Sequence, residues 1–297
     1  STNHPGGVSA LSVEEARRIS AHYKELTGYD GGGWEEHDLL ALTGSAVARI
    51  DWNINSENHF SLRYNMLYAD ADASSNSLQS FKFVGSEYTN INRTHSVVAE
   101  LNSTKDWGSN SLRIGFTHLN DGRTSPDMPA NLPAVIIKGL GENGNGSATI
   151  GTDRYAGNQM LTQDIFIFGD DLTLNLGKHS ITIGTSNEIY RADNLYLANA
   201  RGTYTYNSLD AFLNEQASEY QYGYFANGKP NPAMTTGQFA VYAQDEVVLG
   251  GIGVLSYGLR ADIPVMFDTP LANETFNASQ YAVASNTMTG EIPRVQL

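Results

Sequence analysis

The side chains best equipped for chemistry are a few acids and histidines, and their spacing suits catalysis poorly. Asp170-Asp171 followed by His179 has the residue types of an acid–base set. In a strand, alternation sends neighbouring aspartates to opposite faces, so the two cannot act as a close pair. His59, His95, His118 and His179 fall at the starts or ends of strand-like segments and would gather only by tertiary accident. Asp70-Ala71-Asp72 supplies half of a calcium loop, without the remaining ligands or the central glycine. No nucleophile elbow, phosphate loop or zinc spacing occurs. The absence of cysteine removes disulfides and thiolate metal sites. The expectation is a protein that is not an enzyme and needs no cofactor, with Asp70 and Asp72 as its nearest approach to a metal site.

A second group of side chains points to binding. Tyr204, Tyr206, Tyr220, Tyr222, Tyr224 and Phe225 make the stretch 194–235 strongly aromatic. Aromatic rings give large contact area at low entropy cost, so these six are the candidate ligand-binding residues. Loops that merely pack against one another would carry the same residues.

Composition narrows the partners. Lys and Arg number 18 against 32 Asp and Glu, a net charge of −14, which is the wrong footprint for nucleic acid. No apolar run is long enough for a membrane helix. The chain opens at Ser1 without a signal peptide and stops at Leu297 without a closing strand, which reads as an interior fragment of a longer protein.

The elements that must position these residues read as strands in pairs, over 48–72, 94–120, 162–193 and 238–264. Tight turns join the strands inside each pair, and long polar stretches, 74–93, 121–161 and 194–235, join one pair to the next. Such asymmetry, short at one end and long at the other, is built into transmembrane β-barrels. Parity supports it: Phe60, Leu62, Tyr64 and Met66 oppose Ser61, Arg63 and Asn65, and Leu255, Tyr257 and Leu259 oppose Ser256, Gly258 and Arg260. Arg49, Arg63, Arg113, Arg191 and Arg260 are expected to face the lumen, and Trp52, Trp107, Tyr68 and Tyr190 to form an interfacial girdle. Asp170 breaks the pattern in its strand; a bulge at Gly169, or a position for Asp170 and Asp171 beyond the lipid band, would repair it. Residues 1–47 carry a helix start, with Ser12 as cap, Glu15 three residues on, and Val13, Ala16 and Ile19 on one face; Gly28 ends it and Gly31-Gly32-Gly33 is a flexible break.

The fold class is therefore all-β: a partial transmembrane antiparallel β-barrel, about eight long strands of a larger meander, with long extracellular loops and a short N-terminal helix. Three regions follow: a loop or helical insert over 1–47, four barrel hairpins over 48–264, and a truncated extracellular loop over 265–297. Two alternatives are a cell-surface adhesion protein built as a soluble β-sandwich, and an outer-membrane barrel hydrolase.

Gln238-Phe239-Ala240-Val241-Tyr242-Ala243-Gln244-Asp245-Glu246, followed after a tight turn by Ser256-Tyr257-Gly258-Leu259-Arg260-Ala261-Asp262, resembles TonB-dependent outer-membrane receptors. There a Tyr-x-Gln-Asp-Glu strand pairs with one ending Gly-Leu-Arg. Ala48-Arg49-Ile50-Asp51-Trp52 and Asn187-Glu188-Ile189-Tyr190-Arg191 are similar to barrel segments of the same class, with the flavour of its Oar-like branch in Bacteroidetes. The resemblance covers residues 45–297. It implies localisation in the cell outer membrane, contact with its lipid, and active import of a scarce nutrient. It also implies partners: a plug and a TonB-engaging segment from a missing N-terminal region, an unknown nutrient ligand, and a surface lipoprotein as cap.

Overall fold

The computed structural model describes residues 11–125, 131–155, 158–225, 233–268, 274–280 and 294–296. Helix α1 (Val13–Thr27) precedes strands β1 (Ala41–Asn53), β2 (Asn58–Ala73), β3 (Ser80–Lys82), β4 (Tyr88–Lys105), β5 (Gly108–Thr124), β6 (Ala134–Leu140), β7 (Gly146–Gly151), β8 (Gln159–Leu176), β9 (His179–Tyr196) and β10 (Thr203–Tyr206). Helix α2 (Leu209–Leu213), β11 (Glu219–Gln221), β12 (Ala233–Val248), β13 (Val254–Met266), α3 (Glu274–Asn277) and β14 (Arg294–Gln296) complete the order. Residues 1–10 of the N-terminal insert and most of 265–297 lie outside the described residues.

Nine strands form one meander in the order β1-β2-β4-β5-β8-β9-β12-β13-β14. The eight long members run continuously antiparallel, and their ladders carry no register shift. The bulge expected at Gly169 is therefore absent: Gly169 pairs squarely with Arg113 and Ser186. The strands also extend beyond the expected ends, starting at Ala41, Tyr88, Gln159 and Ala233. A short further strand, β14, pairs with β13 at Arg260–Asp262, where the sequence promised no closing strand.

Register fixes the two faces. Ile50, Leu62, Ala99, Ile114 and Phe168 form one cross-strand row, while Asp51, Ser61, Glu100 and Arg113 form a row on the opposite face. Among the described residues the apolar face carries no protein cover: Ile50 is 63% exposed and Leu259 60%. The tight turns also step in one direction. His59 stands opposite Asn102, three residues short of Lys105 at the next turn; Gly108 stands opposite Leu174, two short of Leu176; His179 stands opposite Val247, one short of Val248. A stagger of constant sign is what tilted barrel strands require. A sandwich would bury this apolar face against a second sheet, and among the described residues none lies there.

The long connections do not remain loops. They build a second sheet, β11-β10-β6-β7-β3, with β10 parallel to β6 and β3 parallel to β7. Helix α1 packs with it. Ser12 and Glu15 close a capping box, and Gly28 ends the helix at φ 76°, a left-handed conformation natural for glycine. Its buried face is Ala16, Ile19 and Tyr23, while Val13, expected on that face, is exposed. These three join Phe81 and Phe83, Val135, Ile137, Leu140, Ala148 and Ile150, and Tyr206 and Phe212 in one core. Each interhairpin stretch thus contributes to a shared interior, and each fully buried large side chain there contributes about 1.5–3 kcal/mol. Gly31-Gly32-Gly33 is a packed crossing rather than a flexible break: Gly31, at φ 85°, accepts from Gly85 N at 2.8 Å, and a Cβ on it would come within 2.5 Å of Ile150.

Candidate ligand-facing surface and barrel wall

The second sheet ends on edge strand β11, and this edge gathers tyrosines. Tyr220 packs on Tyr204 with ring centroids 4.6 Å apart. The segment after β11 runs beside residues 196–199, with Gly223 N donating to Asn199 O at 3.0 Å. Asn199 N in turn donates to Arg154 O at 2.8 Å, which brings residues 154–155 alongside. Tyr155 and Tyr196 stack there, centroids 6.1 Å apart and planes 21° off parallel. Arg154 and Asn199 both donate to Gln221 Oε1, at 3.1 and 3.3 Å, and Gln221 donates to Glu219 at 2.8 Å. The polar groups between the rings are thus fixed by one another. Tyr196, Tyr220, Tyr222 and Tyr224 are all more than half exposed.

The six aromatic residues expected to bind ligand divide accordingly. Tyr220, Tyr222 and Tyr224 lie on this outer surface, and Phe225 follows them half-buried. Tyr204 is half-buried beneath Tyr220. Tyr206 is a core residue, 8% exposed and edge-on to Phe212 at 5.3 Å. Burial, then the nearby Tyr204 and Glu215, raises its hydroxyl pKa. Tyr155 and Tyr196 were not among the six: Tyr155 is a lone aromatic in 121–161 and Tyr196 ends β9, and only the crossing of the segments brings them together.

Among the described residues, the acids and histidines singled out by the sequence are held in separate pairs. Asp170 and Asp171 face opposite ways, as alternation requires: Asp170 accepts from Asn110 Nδ2 at 2.7 Å, and Asp171 from the Tyr242 hydroxyl. His179 Nδ1 lies 2.6 Å from Asp245 Oδ2 at the turn end of the strands. Asp70 pairs with Arg93 at 2.6 Å, and Asp72 accepts from Leu40 N at 3.0 Å and the Thr89 hydroxyl at 2.7 Å. Among the described residues no three metal-type side chains gather. His95 and His118 lie inside longer strands than expected and stand directly opposite each other. His95 Nδ1 meets the Tyr64 hydroxyl at 2.6 Å, and His118 Nδ1 meets Asp164 at 2.7 Å.

The inward face is polar and internally paired. Arg49 reaches Asp51 at 2.8 Å, Arg113 reaches Glu100 at 3.6 Å, and Arg260 reaches Asp262 at 2.9 Å. Arg63 stands opposite Arg49 on the same face. Arg191 departs from the expectation: it shares the face of Ile181, Ile183 and Ile189, opposite Asp164 and Thr235. Tyr190 likewise faces inward, bonded to Gln163, and so stands apart from Trp52 and Tyr68 on the apolar side.

Where the folded cap meets β1, His37 Nε2 lies 2.7 Å from Glu87 Oε2, a carboxylate side chain only 6% exposed. Burial disfavours the charged imidazole, but the bond to Glu87, the Glu35 carbonyl and the charge on Asp72 outweigh it and raise the His37 pKa.

An apolar outer face, a polar paired inner face, staggered turns at one end and a folded cap at the other define a wall segment of a transmembrane β-barrel. The model of a family described as an outer membrane beta barrel domain matches residues 41–295, so the chain belongs to that family of outer-membrane proteins. Among solved structures, the crystal structure of the outer membrane transporter YddB from Escherichia coli is similar with a TM-score of 0.53 at 14% identity, covering 76% of this chain. The match spans 28% of the transporter's own length, and at that identity the likeness is one of fold. No curated protein matches.

Proposed function

We propose that the chain forms part of the wall and the extracellular cap of a TonB-dependent receptor, which binds a scarce nutrient at the cell surface and imports it actively. The observation that carries the reading is the joining of two things in one chain. Long barrel strands are continuous with a cap that has its own core and presents Tyr220, Tyr222 and Tyr224 outward, beside Tyr196 at the end of β9 and the half-buried Tyr155 stacked on it. The Tyr-x-Gln-Asp-Glu and Gly-Leu-Arg strands, paired in β12 and β13, add to it. In this reading the wall guides, the tyrosine surface makes first contact with ligand, and the plug and TonB-engaging segment belong to other parts of the full-length parent. A surface lipoprotein would close over the cap.

The test uses the full-length gene in its own host. Deletion should abolish growth on one limiting source among iron chelates, cobalamin, oligosaccharides and peptides, and loss of TonB should reproduce the defect without adding to it. Replacing Tyr220, Tyr222 and Tyr224 together with alanine should raise the concentration of that source needed for growth by about tenfold or more, because tyrosine is enriched among the few interface residues whose truncation costs about 2 kcal/mol or more. Growth on every source without the gene, or rescue that ignores TonB, would overturn the import reading.

A further inference from the structure

The apolar face of the wall is interrupted at mid-depth. Asn110 on β5, Asp170 on β8, and Thr185 and Asn187 on β9 all lie on the lipid-facing side, by the same register that places Ile114 and Phe168 there. Along β8, Phe166 and Phe168 lie on one side of Asp170 and Leu172 and Leu174 on the other. Along β9, Ile189 and Ile183 bracket the pair in the same way. Of this polar island, Asp170, Thr185 and Asn187 are therefore inside the hydrocarbon band, and Asn110, two residues from the start of β5, reaches Asp170 from the turn side.

Its donors are already spent. Asn110 Nδ2 donates to Asp170 Oδ1 at 2.7 Å and to Asp171 O at 3.2 Å. Asn187 Nδ2 donates to Thr185 Oγ1 at 2.8 Å and Phe168 O at 3.3 Å, and the Thr185 hydroxyl donates to Ala240 O at 2.8 Å. What remains toward the bilayer is acceptor capacity: the second oxygen of the Asp170 carboxylate and the amide oxygens of Asn110 and Asn187. Hydrocarbon cannot meet it, and a carboxylate at that depth is more costly still. A two-fold contact of the island with a second copy of itself would set acceptors against acceptors.

The geometry points to a docking site within the membrane for another outer-membrane protein, one whose lipid-facing surface presents an arginine, lysine or amide donor to Asp170. This rests on the membrane-facing register alone and holds whether or not the barrel imports a nutrient.

Lipid access tests it in the full-length parent. These 297 residues lack cysteine, so in a parent cleared of any cysteine elsewhere each substitution carries a single probe. Leu112→Cys and Ile183→Cys flank the island, and Ile50→Cys serves as a distant control on the same face. With a fluorescent label on each and a nitroxide lipid as quencher, native outer membranes should show loss of quenching at positions 112 and 183 and full quenching at 50. Quenching at 112 and 183 should return when the purified parent is placed alone in phosphatidylethanolamine–phosphatidylglycerol vesicles, and in native membranes carrying Asp170→Leu. Should Asp170→Leu not fold, Asp170→Asn removes the charge alone and should restore quenching in part. Full quenching of the wild-type parent in native membranes would mean that lipid covers the island and would sink the proposal. So would shielding that survives both substitutions, or shielding that persists in the vesicles and yields a crosslinked dimer of the parent.

Discussion

The chain solves the burial problem twice, in opposite ways. In the wall, residues such as Ile50, Val241 and Leu259 stay exposed on the protein because lipid is their partner, and the polar side closes on itself through Arg–acid pairs. In the cap, water surrounds the fold, so Phe83, Ile137, Leu140 and Ile150 are fully buried against α1 and the small sheet. The two regions alternate along the sequence: α1 precedes the first wall hairpin, and each later cap segment lies between two of them. Stability in the wall depends on the bilayer, whereas stability in the cap is carried by the chain's own packing.

That contrast can be broken from either side. The largest effect is expected from Phe83→Ala in the cap, where a fully buried ring leaves a cavity costing about 3–5 kcal/mol. Limited proteolysis of the parent in native membranes should then cut the cap while heat-modifiable gel migration of the barrel stays unchanged. Loss of both together would mean that cap and wall fold as one unit. Next comes Ile50→Arg on the lipid face, expected to destabilise by roughly 2–4 kcal/mol in lipid. Denaturant titration in vesicles should register that loss, and proteolysis of the cap should not change. A smaller effect belongs to Ser12→Ala, which removes one half of the capping box at about 1 kcal/mol. It should raise hydrogen exchange in the first turn of α1 and leave the wall amides as they were.

The wall was legible because its signal is local. Period-two alternation in Phe60–Met66 or Leu255–Leu259 states which side each residue takes, and lipid rewards that pattern without help from distant segments. The capping box at Ser12 and Glu15 was legible for the same reason. The cap as a whole was not. Its strands are as short as three residues, and β10 finds its parallel partner β6 far along the chain, Thr203 standing opposite Ala134. Phe81, Ile150 and Phe212 look like stray apolar residues in polar loops until the segments meet. Asp170 was half legible: alternation marked it as the break in the pattern, but of the two repairs offered the bulge at Gly169 is absent, and Asn110 and the unbroken ladder hold the acid on the apolar face.

Two anchors of the cap supply the smallest and sharpest contrast, because they respond to pH with opposite signs. Glu15 is partly buried, which would raise its pKa, but bonds from Ser12 N, Gly141 N and the Ser12 hydroxyl, with Arg18 nearby, lower it below the usual 4.5. A depressed carboxyl contributes stability above its unfolded pKa and loses it as pH falls through the folded value. The link from α1 to the β6–β7 turn, Gly141 N to Glu15 Oε1 at 2.9 Å, should therefore loosen only in acid. His37 is the reverse. Its pKa is raised above 6.5, so its pairing with Glu87 contributes fully below that value and fades as pH climbs through the higher folded value. Hydrogen exchange on the parent should accelerate at residues 84–87 as pH moves from neutral to alkaline, after correction for intrinsic exchange, with the α1 amides unaffected. Glu87→Gln should flatten the first response, and Glu15→Gln should flatten the acid response of α1 without touching the other. A single transition shared by both sites would mean that the cap opens as one body, with His37 no more than a passenger in it.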